Sequence, residues 1–300
     1  VALTMAGGVL AACGSGTETS EPETTVEAAA AAPAEVAALT VDVLDCGTIG
    51  VSDLDAFSSA GDYAGQTDTF TDTCYLIRHP EGTLLWDLGL PGMLTISGPQ
   101  TQQIFTVSLE KTITEQVRDL GMEMSDIDYV AISHSHFDHI GQADQVDGSL
   151  WLVHEDELAA MFPPEGSESG IPPEQLALFT LFEPLERKTF RGDYDVFGDG
   201  SVVIFETPGH TPGHMAFEIR QGSEAVMVVG DAIGNGHLAL ARPDWPSGAD
   251  QDPETGITTR TRLLDMLATD RMAMVGFHLP EGGLGHVERH DGAYRFVPEV

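Results

Sequence analysis

The residues of this chain that are best suited to chemistry lie between Ser133 and His139, where three histidines and one aspartate occupy six positions. They are His134, His136, Asp138 and His139. Imidazole and carboxylate groups are ligands that suit zinc and similar first-row metals. His134 and His136 can converge on one ion, and the Asp138–His139 pair can turn toward a second. The motif therefore predicts a metal-binding loop.

The element that must position this loop is the run 127–132 directly before it, which is apolar and rich in β-branched residues. Such a run is typical of a buried strand. Matching ligand types recur later, in Pro-Gly-His, Gly-Asp and Gly-x-His motifs that end at His210, Asp231 and His278. A polar loop that is rich in histidine by chance would lack such partners. The chain therefore predicts one metal centre assembled from four segments.

The ordered set His-x-His-x-Asp-His, Pro-Gly-His, Gly-Asp and Gly-x-His resembles the metallo-β-lactamase superfamily, over residues 39–300. The resemblance implies an α+β fold, a four-layer αββα sandwich in which two packed β-sheets lie between outer helices. The pattern of expected strands and helices suits this sandwich. The metal site would lie along one edge, where strand ends deliver loops.

Local patterning supplies the expected elements. We expect strands over residues 39–46, 74–78, 83–87, 127–132, 151–153, 201–206, 215–219, 225–229, 272–275 and 294–297. We expect helices over residues 109–120, 155–161, 173–182 and 258–268.

Carried over residue by residue, the resemblance implies seven ligands for two divalent metal ions. The first ion would be bound by His134, His136 and His210, the second by Asp138, His139 and His278, and both would be bridged by Asp231. Zinc is the default, although manganese, iron or cobalt fit the same ligands. Such ions would share a bridging hydroxide, because each lowers the pKa of bound water to about 7. Asp138 and Asp231 are thus expected to be catalytic, with Asp138 moving a proton to the leaving group.

Two further residues are expected to support the ligands from behind. Asp87, in the sequence Asp-Leu-Gly, matches the family's Asp-x-Gly turn, whose aspartate usually supports a ligand. His214 ends a second Pro-Gly-His motif. Since the resemblance assigns the ligand role to His210, we expect His214 to be supporting or structural.

Two loops and one late histidine are candidates for the pocket. The irregular stretch 235–255 contains Trp245, and we expect it to form a lid over the metals. Residues 91–108 carry apolar side chains that either wall the pocket or pack into the core. His286 either lines the pocket or is a surface or structural histidine.

Two kinds of hydrolase compete. Residues 72–77, 85–91, 133–139 and 207–214 resemble the N-acyl homoserine lactonases, which open a lactone ring and silence quorum signals. Gly234 stands where those enzymes often carry a tyrosine. Residues 276–287 and 294–298 resemble the aryl-ester and organophosphate hydrolases related to methyl parathion hydrolase. We expect a lactonase, with an aryl-ester or organophosphate hydrolase as the alternative. A non-catalytic metal-binding lipoprotein is the alternative from another class.

The charge balance limits the classes of partner that the protein can bind. Thirteen basic residues against 48 acidic ones give a formal net charge of −35. Such a surface repels nucleic acid, which argues against the nucleases of the superfamily. The expected partners are a small-molecule lactone or ester and, by the resemblance, a second copy in a homodimer.

The N-terminal segment predicts targeting. Residues 1–13 are apolar and end in Leu-Ala-Ala-Cys, which resembles the processing box of bacterial lipoproteins. We expect a signal segment with a truncated start, a lipidated Cys13 and a disordered acidic, Ala-rich tether over 14–38. The hydrolase domain is then 39–300. By analogy with bacterial lipoproteins, the Gly-Ser that follows Cys13 favours the periplasmic side of the outer membrane or the cell surface.

Two cysteines remain, and both lie on expected strands. An oxidising periplasm would permit a disulfide between Cys46 and Cys74. Buried free cysteine is also a common small hydrophobe. Since geometry is not visible in a sequence, both states stay open.

Overall fold

The computed structural model describes residues 2–3, 39–58, 60–164, 171–234, 236–279 and 283–299. Cys13 and the tether expected over 14–38 lie outside the described residues. Of the expected signal segment, the structure describes positions 2 and 3.

The described ranges contain strands, α-helices and short 3-10 helices. The strands are β1 (Ala2–Leu3), β2 (Thr40–Val51), β3 (Asp68–His79), β4 (Gly82–Trp86), β5 (Gln100–Gln102), β6 (Phe105–Ser108), β7 (Tyr129–Ala131), β8 (Leu150–His154), β9 (Arg187–Phe190), β10 (Tyr194–Asp195), β11 (Val202–Glu206), β12 (Met215–Gln221), β13 (Glu224–Val228), β14 (Ala273–Val275), β15 (Leu284–His290) and β16 (Ala293–Pro298). The α-helices are α1 (Leu94–Ser97), α2 (Ile113–Asp119), α3 (Glu155–Met161), α4 (Pro173–Phe179), α5 (Gly236–Ala241) and α6 (Pro253–Asp270). Short 3-10 helices cover Leu54–Phe57, Met124–Asp126, Ala143–Gln145, Thr180–Phe182 and Gly230–Ile233.

The strands form two sheets. The first has the order β5-β6-β2-β3-β4-β7-β8-β9, with β1 paired to the start of β2. The second runs β10-β11-β12-β13-β14-β15-β16. Pairing is mostly antiparallel, but β4, β7, β8 and β9 are parallel neighbours, as are β13 and β14.

The two sheets pack face to face, with helices on both outer faces. Alternate residues of β3 point to opposite sides, so that Tyr75 and Ile77 enter the core between the sheets with Phe217 of β12. Leu76 faces the layer of α2, α3 and α4, where Val117 packs. Helices α5 and α6 cover the second sheet. The expected αββα sandwich is confirmed.

The parallel strands explain where a site can form. Carboxyl ends of parallel neighbours reach the same edge of a sheet. At this edge β4 is followed by Asp87, β7 by residues 133–139, β13 by Asp231 and β14 by His278. Strand β11 ends just before the loop of His210.

Several elements differ in extent from the sequence expectation. Strand β2 continues to Val51, and β3 begins at Asp68, because Ile49, Val51 and Phe70 are buried in a cluster of their own. Helix α6 begins at Pro253, where Asp252 caps its first turn. The expected irregular stretch 235–255 contains helix α5.

Cys46 and Cys74 form a disulfide, with their Cα atoms 5.8 Å apart. Both cysteines are fully buried and link β2 to β3. The alternative of two free buried thiols is therefore not what the structure shows.

None of the helices in the described ranges combines the length and the apolar composition that a membrane span requires.

Candidate metal centre

The structure brings all seven sequence-predicted ligands together at one edge of the sandwich. Three groups of convergent ligand atoms form there, each within 4.8 Å: His134, His136 and His210; His134, His139 and Asp231; and Asp138, His139 and His278. We call the first the histidine trio and the last the mixed trio. Asp231 lies between them.

The histidine trio presents three nitrogen atoms to one point. The Nδ1 atom of His136 lies 2.9 Å from Nε2 of His134 and 2.9 Å from Nε2 of His210. The two Nε2 atoms are 3.2 Å apart. In a tetrahedral zinc site, bonds of about 2.0–2.1 Å put ligand atoms about 3.3 Å apart. The spacing therefore fits one cation.

The mixed trio and Asp231 form a second converging set. Nε2 of His278 lies 3.5 Å from Asp138 Oδ2 and 3.4 Å from Asp231 Oδ2. Nε2 of His139 lies 3.4 Å from Asp231 Oδ1. Nε2 of His210, from the histidine trio, also lies 3.4 Å from Asp231 Oδ2. The carboxylate of Asp231 thus reaches both trios, as a bridging ligand must.

Two buried atoms test whether this donor set fits a cation. His139 Nε2 and Asp231 Oδ1 face each other and have no hydrogen-bond partner among the described residues. A buried polar atom without a partner is costly, and a cation between the two would satisfy both. The donor set therefore fits the two divalent ions implied by the sequence.

Carboxylates behind the ligands decide which nitrogen faces the centre. Nδ1 of His139 lies 3.1 Å from Asp87 Oδ2 and 3.0 Å from the hydroxyl of Ser133. A carboxylate can only accept, so Nδ1 carries the proton and the lone pair of Nε2 points to the centre. In the same way, Asp72 lies 3.4 Å from Nδ1 of His278. The carboxylate of Asp87 thus lies directly behind His139.

His214 lies behind the bridging carboxylate. Its Nε2 accepts a hydrogen bond of 3.0 Å from the backbone N–H of Asp231, and its Nδ1 lies 2.8 Å from the hydroxyl of Thr207. The side chain is buried. His214 therefore orients the backbone of Asp231 and does not face the metal positions.

The two trios differ in charge. Burial, with the neighbouring histidines, holds the pKa of His134 well below its usual value and lowers the pKa of His136 to about 3. Burial also opposes the charged form of His139, but Asp87, Asp138 and Asp231 outweigh it and raise its pKa well above the usual value. The pKa of His278 is likewise raised despite burial, chiefly by Asp231.

The pKa values of Asp231 and Asp72 are shifted in opposite directions. Burial raises the pKa of Asp231, but the adjacent His278 and His139 outweigh it and hold the pKa well below the usual value. Burial raises the pKa of Asp72 to about 7. Asp231 is thus an anion, as a bridging ligand must be.

A buried glutamate joins two ligand loops. Glu157 of α3 accepts hydrogen bonds from the backbone N–H and hydroxyl of Ser135, at 2.7 and 2.6 Å. It also accepts from the hydroxyl of Thr211 at 2.7 Å and from the N–H of Gly213 at 3.1 Å. Its side chain is completely buried. Glu157 therefore holds the loop of His136 against the loop of His210.

A cleft of about 350 Å³ opens over the metal positions. His136, Asp138 and Asp231 form part of its floor. Its other walls are largely apolar and include Ile49, Phe57, Phe70, Phe105, Phe137, Leu238 and Ala239. The cleft can therefore receive an apolar group beside a polar reacting centre.

The expected pocket walls are placed only in part. Residues 91–108 contribute Phe105 to the cleft, whereas Met93 and Ile96 are exposed. The stretch 235–255 contributes residues of α5 and of the following loop. Trp245 lies outside the cleft wall, where the guanidinium of Arg242 lies 5.0 Å from its ring. The stretch thus lines the cleft, but without its tryptophan.

His286 was expected as a possible pocket residue, and the structure corrects this. It pairs with Ala273, at the start of β14, whereas the metal edge lies past the end of that strand. Its Nδ1 lies 3.6 Å from Glu299, in a separate groove. The strand register therefore carries His286 away from the cleft.

Three supporting carboxylates escaped sequence reasoning. Asp72 lies on a strand, Glu157 resembles its solvated helix neighbours and Asp250 lies in a polar loop. A buried-strand pattern interrupted by an acid was a signal for Asp72, but no local signal distinguishes Glu157 or Asp250.

Comparisons with known proteins agree with this geometry. A family model described as the metallo-beta-lactamase superfamily matches residues 68–278. An N-acyl homoserine lactonase of Bacillus thuringiensis is 26% identical over 234 residues, which cover 75% of this chain and 85% of that relative.

Solved structures share the fold. AidC, described as a dizinc quorum-quenching lactonase in complex with a product, matches with a TM-score of 0.71 at 21% identity, over 89% of this chain and 96% of AidC. AbOPH, a hydrolase in the beta lactamase superfamily, matches with a TM-score of 0.67 at 17% identity, over 89% and 96% of the two chains.

Proposed function

The chain belongs to the metallo-β-lactamase superfamily, and on that premise we propose that it is a dinuclear metal-dependent hydrolase that opens N-acyl homoserine lactones. The observation that carries the proposal is the pair of trios joined by Asp231. Similarity to lactonases along most of the chain supports the choice of substrate.

The chemistry divides between the cations and the protein. Two divalent ions would supply Lewis acidity toward a carbonyl oxygen and a water of lowered pKa. The chain's own residues would hold those ions, and Asp138, which lines the cleft, would take up a proton and return it to the leaving alkoxide. Asp231 holds the two positions together, since its carboxylate oxygens reach both trios.

The cleft suits an acyl lactone in shape and polarity. Phe57 packs against Phe70 and Phe105, with ring centroids 5.7 and 6.3 Å apart, and all three rings line the cleft. Burying an acyl chain against such a wall contributes about 0.8 kcal/mol per methylene group. The lactone carbonyl would then point to the polar floor.

A second candidate is an aryl-ester or organophosphate hydrolase. Gly234 lines the cleft, so no phenol projects from that position to bind the lactone oxygen. The same phenylalanine wall accepts an aromatic leaving group by edge or face contacts. Residues 276–287 and 294–298, which resemble those hydrolases, also favour this second candidate.

Substrate preference tests the proposal. The zinc-loaded protein would be given an acyl homoserine lactone, an aryl ester and a phosphotriester, with Asp231→Ala as the control. We expect lactone opening to dominate and the variant to lose it by more than the roughly 10–100-fold that loss of a supporting residue costs. Ester or phosphotriester cleavage without lactone opening would favour the second candidate. Metal binding with no turnover at all would favour the non-catalytic lipoprotein.

We also propose that Cys13 is lipidated and anchors the protein on the periplasmic side of the outer membrane or at the cell surface. The Leu-Ala-Ala-Cys box supports this. Expression of the gene should put the protein in the membrane fraction, and Cys13→Ser should release it. A Cys13→Ser variant that stays with the membrane would contradict the anchor.

A further inference from the structure

A buried ion pair stands behind the histidine trio. Oδ1 of Asp250 lies 3.5 Å from Nδ1 of His210, and Oδ2 of Asp250 accepts a 3.1 Å hydrogen bond from Nη1 of Arg260. The side chains of Asp250 and Arg260 are only 3% and 4% exposed. Burying two charges is costly, so such a pair is weak evidence for stability and invites a functional explanation.

The guanidinium of Arg260 is held from three sides. Besides Asp250, its Nε donates to the carbonyl of Pro243 at 3.2 Å and its Nη2 to the carbonyl of Trp245 at 2.7 Å. Arg260 lies on α6, so the carboxylate of Asp250 is fixed against a regular element. A fork held in this way leaves Asp250 little freedom to turn from His210.

The loop of His210 is docked on the same segment. The backbone N–H of Gln251 donates to the carbonyl of His210 at 3.1 Å, and that of Asp252 donates to Gly209 at 2.9 Å. Thr259 of α6 donates its hydroxyl to Pro208 at 2.7 Å. A Cβ atom on Gly209 would lie 2.3 Å from the backbone nitrogen of Gly256. The loop of His210 therefore packs so closely against α6 that position 209 has no room for a side chain.

We propose that Asp250 and Arg260 are positioning residues that set the affinity of the histidine trio for its metal, separately from the mixed trio. A carboxylate at Nδ1 keeps the proton there, leaves Nε2 free to ligate and makes the ligand more basic. The mixed trio has its own carboxylates, Asp87 and Asp72. This inference rests on the metal centre of the proposed function.

Zinc affinity measured on the whole chain tests this. The metal-stripped protein would be titrated with Zn²⁺ against a chromophoric chelator, for the wild type, Asp250→Asn, Arg260→Lys and the matched Asp72→Asn. We expect the wild type to bind two ions. Asp250→Asn should weaken the binding of one ion by about 10–100-fold and leave the affinity for the other unchanged. Arg260→Lys should weaken the same ion less, because it keeps the charge without the fork.

The matched variants assign the effect to a site. Asp72→Asn should weaken the binding of the other ion, and the double variant Asp250→Asn with Asp72→Asn should weaken the binding of both ions. Because an unpaired buried charge can unfold a protein, Asp250→Asn with Arg260→Met removes both charges together. It should melt near the wild type yet still bind one ion weakly.

The remaining outcomes separate the two proposals. Both ions bound with wild-type affinity by Asp250→Asn would overturn the inference and leave the metal centre intact. Equal weakening of both ions would also overturn it, since that indicates a general structural role. A wild type that binds no divalent ion would instead reject the metal centre of the proposed function.

Discussion

At the scale of single residues, the site depends on which imidazole nitrogen is free. His139, His278 and His210 each have a carboxylate facing Nδ1, which leaves Nε2 for the centre. His136 reverses the pattern, with Nδ1 toward the other two histidines of its trio. Supporting groups therefore decide ligand geometry as much as the ligands do.

Competition between protons and metal ions should give the two metal positions different pH dependences. In the metal-free protein the pKa values of His139 and His278 are raised, so both are protonated near pH 7, whereas the lowered pKa values of His134 and His136 keep those rings neutral. A cation in the mixed trio must displace protons, and its affinity should fall as pH drops from 8 to 6, by roughly tenfold per pH unit for each proton displaced.

Zinc titrations across this range, with the released protons counted, would check the expectation. The ion of the histidine trio should keep a shallow pH dependence. Equal slopes for both ions would contradict it.

Glu157 should contribute strongly to the stability of the fold, although it is not one of the candidate metal ligands. Each oxygen accepts from one backbone N–H and one hydroxyl, so Glu157→Gln places an amide N–H₂ against an N–H that can only donate and forces the hydroxyl to turn. At about 1.5–3 kcal/mol for each bond to a charged group, we expect a loss of about 3 kcal/mol or more in the free energy of unfolding. Urea denaturation measures it.

Glu155 offers a control on the same helix. It pairs with Arg191 at the surface, so Glu155→Gln should cost less than about 1 kcal/mol. Similar losses in the two variants would show that Glu157 has no special role.

At the scale of elements, strand ends build the site and strand pairs hold it. The disulfide between β2 and β3 lies beside the turn after Asp87: the backbone N–H of Leu90 donates to the carbonyl of Cys46 at 3.0 Å. Gly89, at φ +55°, would bring a Cβ atom within 2.4 Å of the Cys46 Cβ. The turn can approach the disulfide this closely because residue 89 is glycine.

Breaking that disulfide should destabilise the fold. Closing a sequence separation of 28 residues removes chain entropy worth about 3–4 kcal/mol from the unfolded state. The variant Cys46→Ala with Cys74→Ala should lose stability of this order in denaturant titration. Each single variant should lose about as much, because either one breaks the bond. An unchanged midpoint in all three would show that the bond does not contribute.

At the scale of the whole molecule, charge is the dominant property. With a net charge of −35, the protein repels other anions. A homoserine lactone is uncharged at its ring, and opening the ring creates a carboxylate. The proposed reaction therefore converts a ligand that the surface tolerates into one that it repels, which favours product release.

The same charge should make stability depend on salt. Raising NaCl from 0.1 to 1 M shortens the screening length from about 10 to about 3 Å and weakens the repulsion among carboxylates. We expect the melting temperature to rise, by about 2–4 °C for each kcal/mol relieved. Calorimetry at pH 8 measures this, and the same step at pH 5, where part of the carboxylates are protonated, should have less effect. A melting temperature that falls with NaCl would contradict the argument.

The sequence by itself determined the sandwich fold and the set of candidate ligands, because its ordered motifs resemble the metallo-β-lactamase superfamily and its expected strands and helices suit that fold. Hydrophobic periodicity and the local order of His, Asp, Gly and Pro are properties of short segments, so they can be read without coordinates. The strand within residues 127–132, the helix over 155–161 and the loop of His134 follow directly from such segments.

Only the tertiary structure decided which groups stand behind the ligands and which line the cleft. Asp72 meets His278, and Asp250 meets His210, because separate strand ends and loops converge on one edge. Side chains such as Trp245 and His286 were placed elsewhere by loop packing and strand register, which act between residues distant in the chain. Contacts of that kind depend on how elements pack, and local patterning does not specify them.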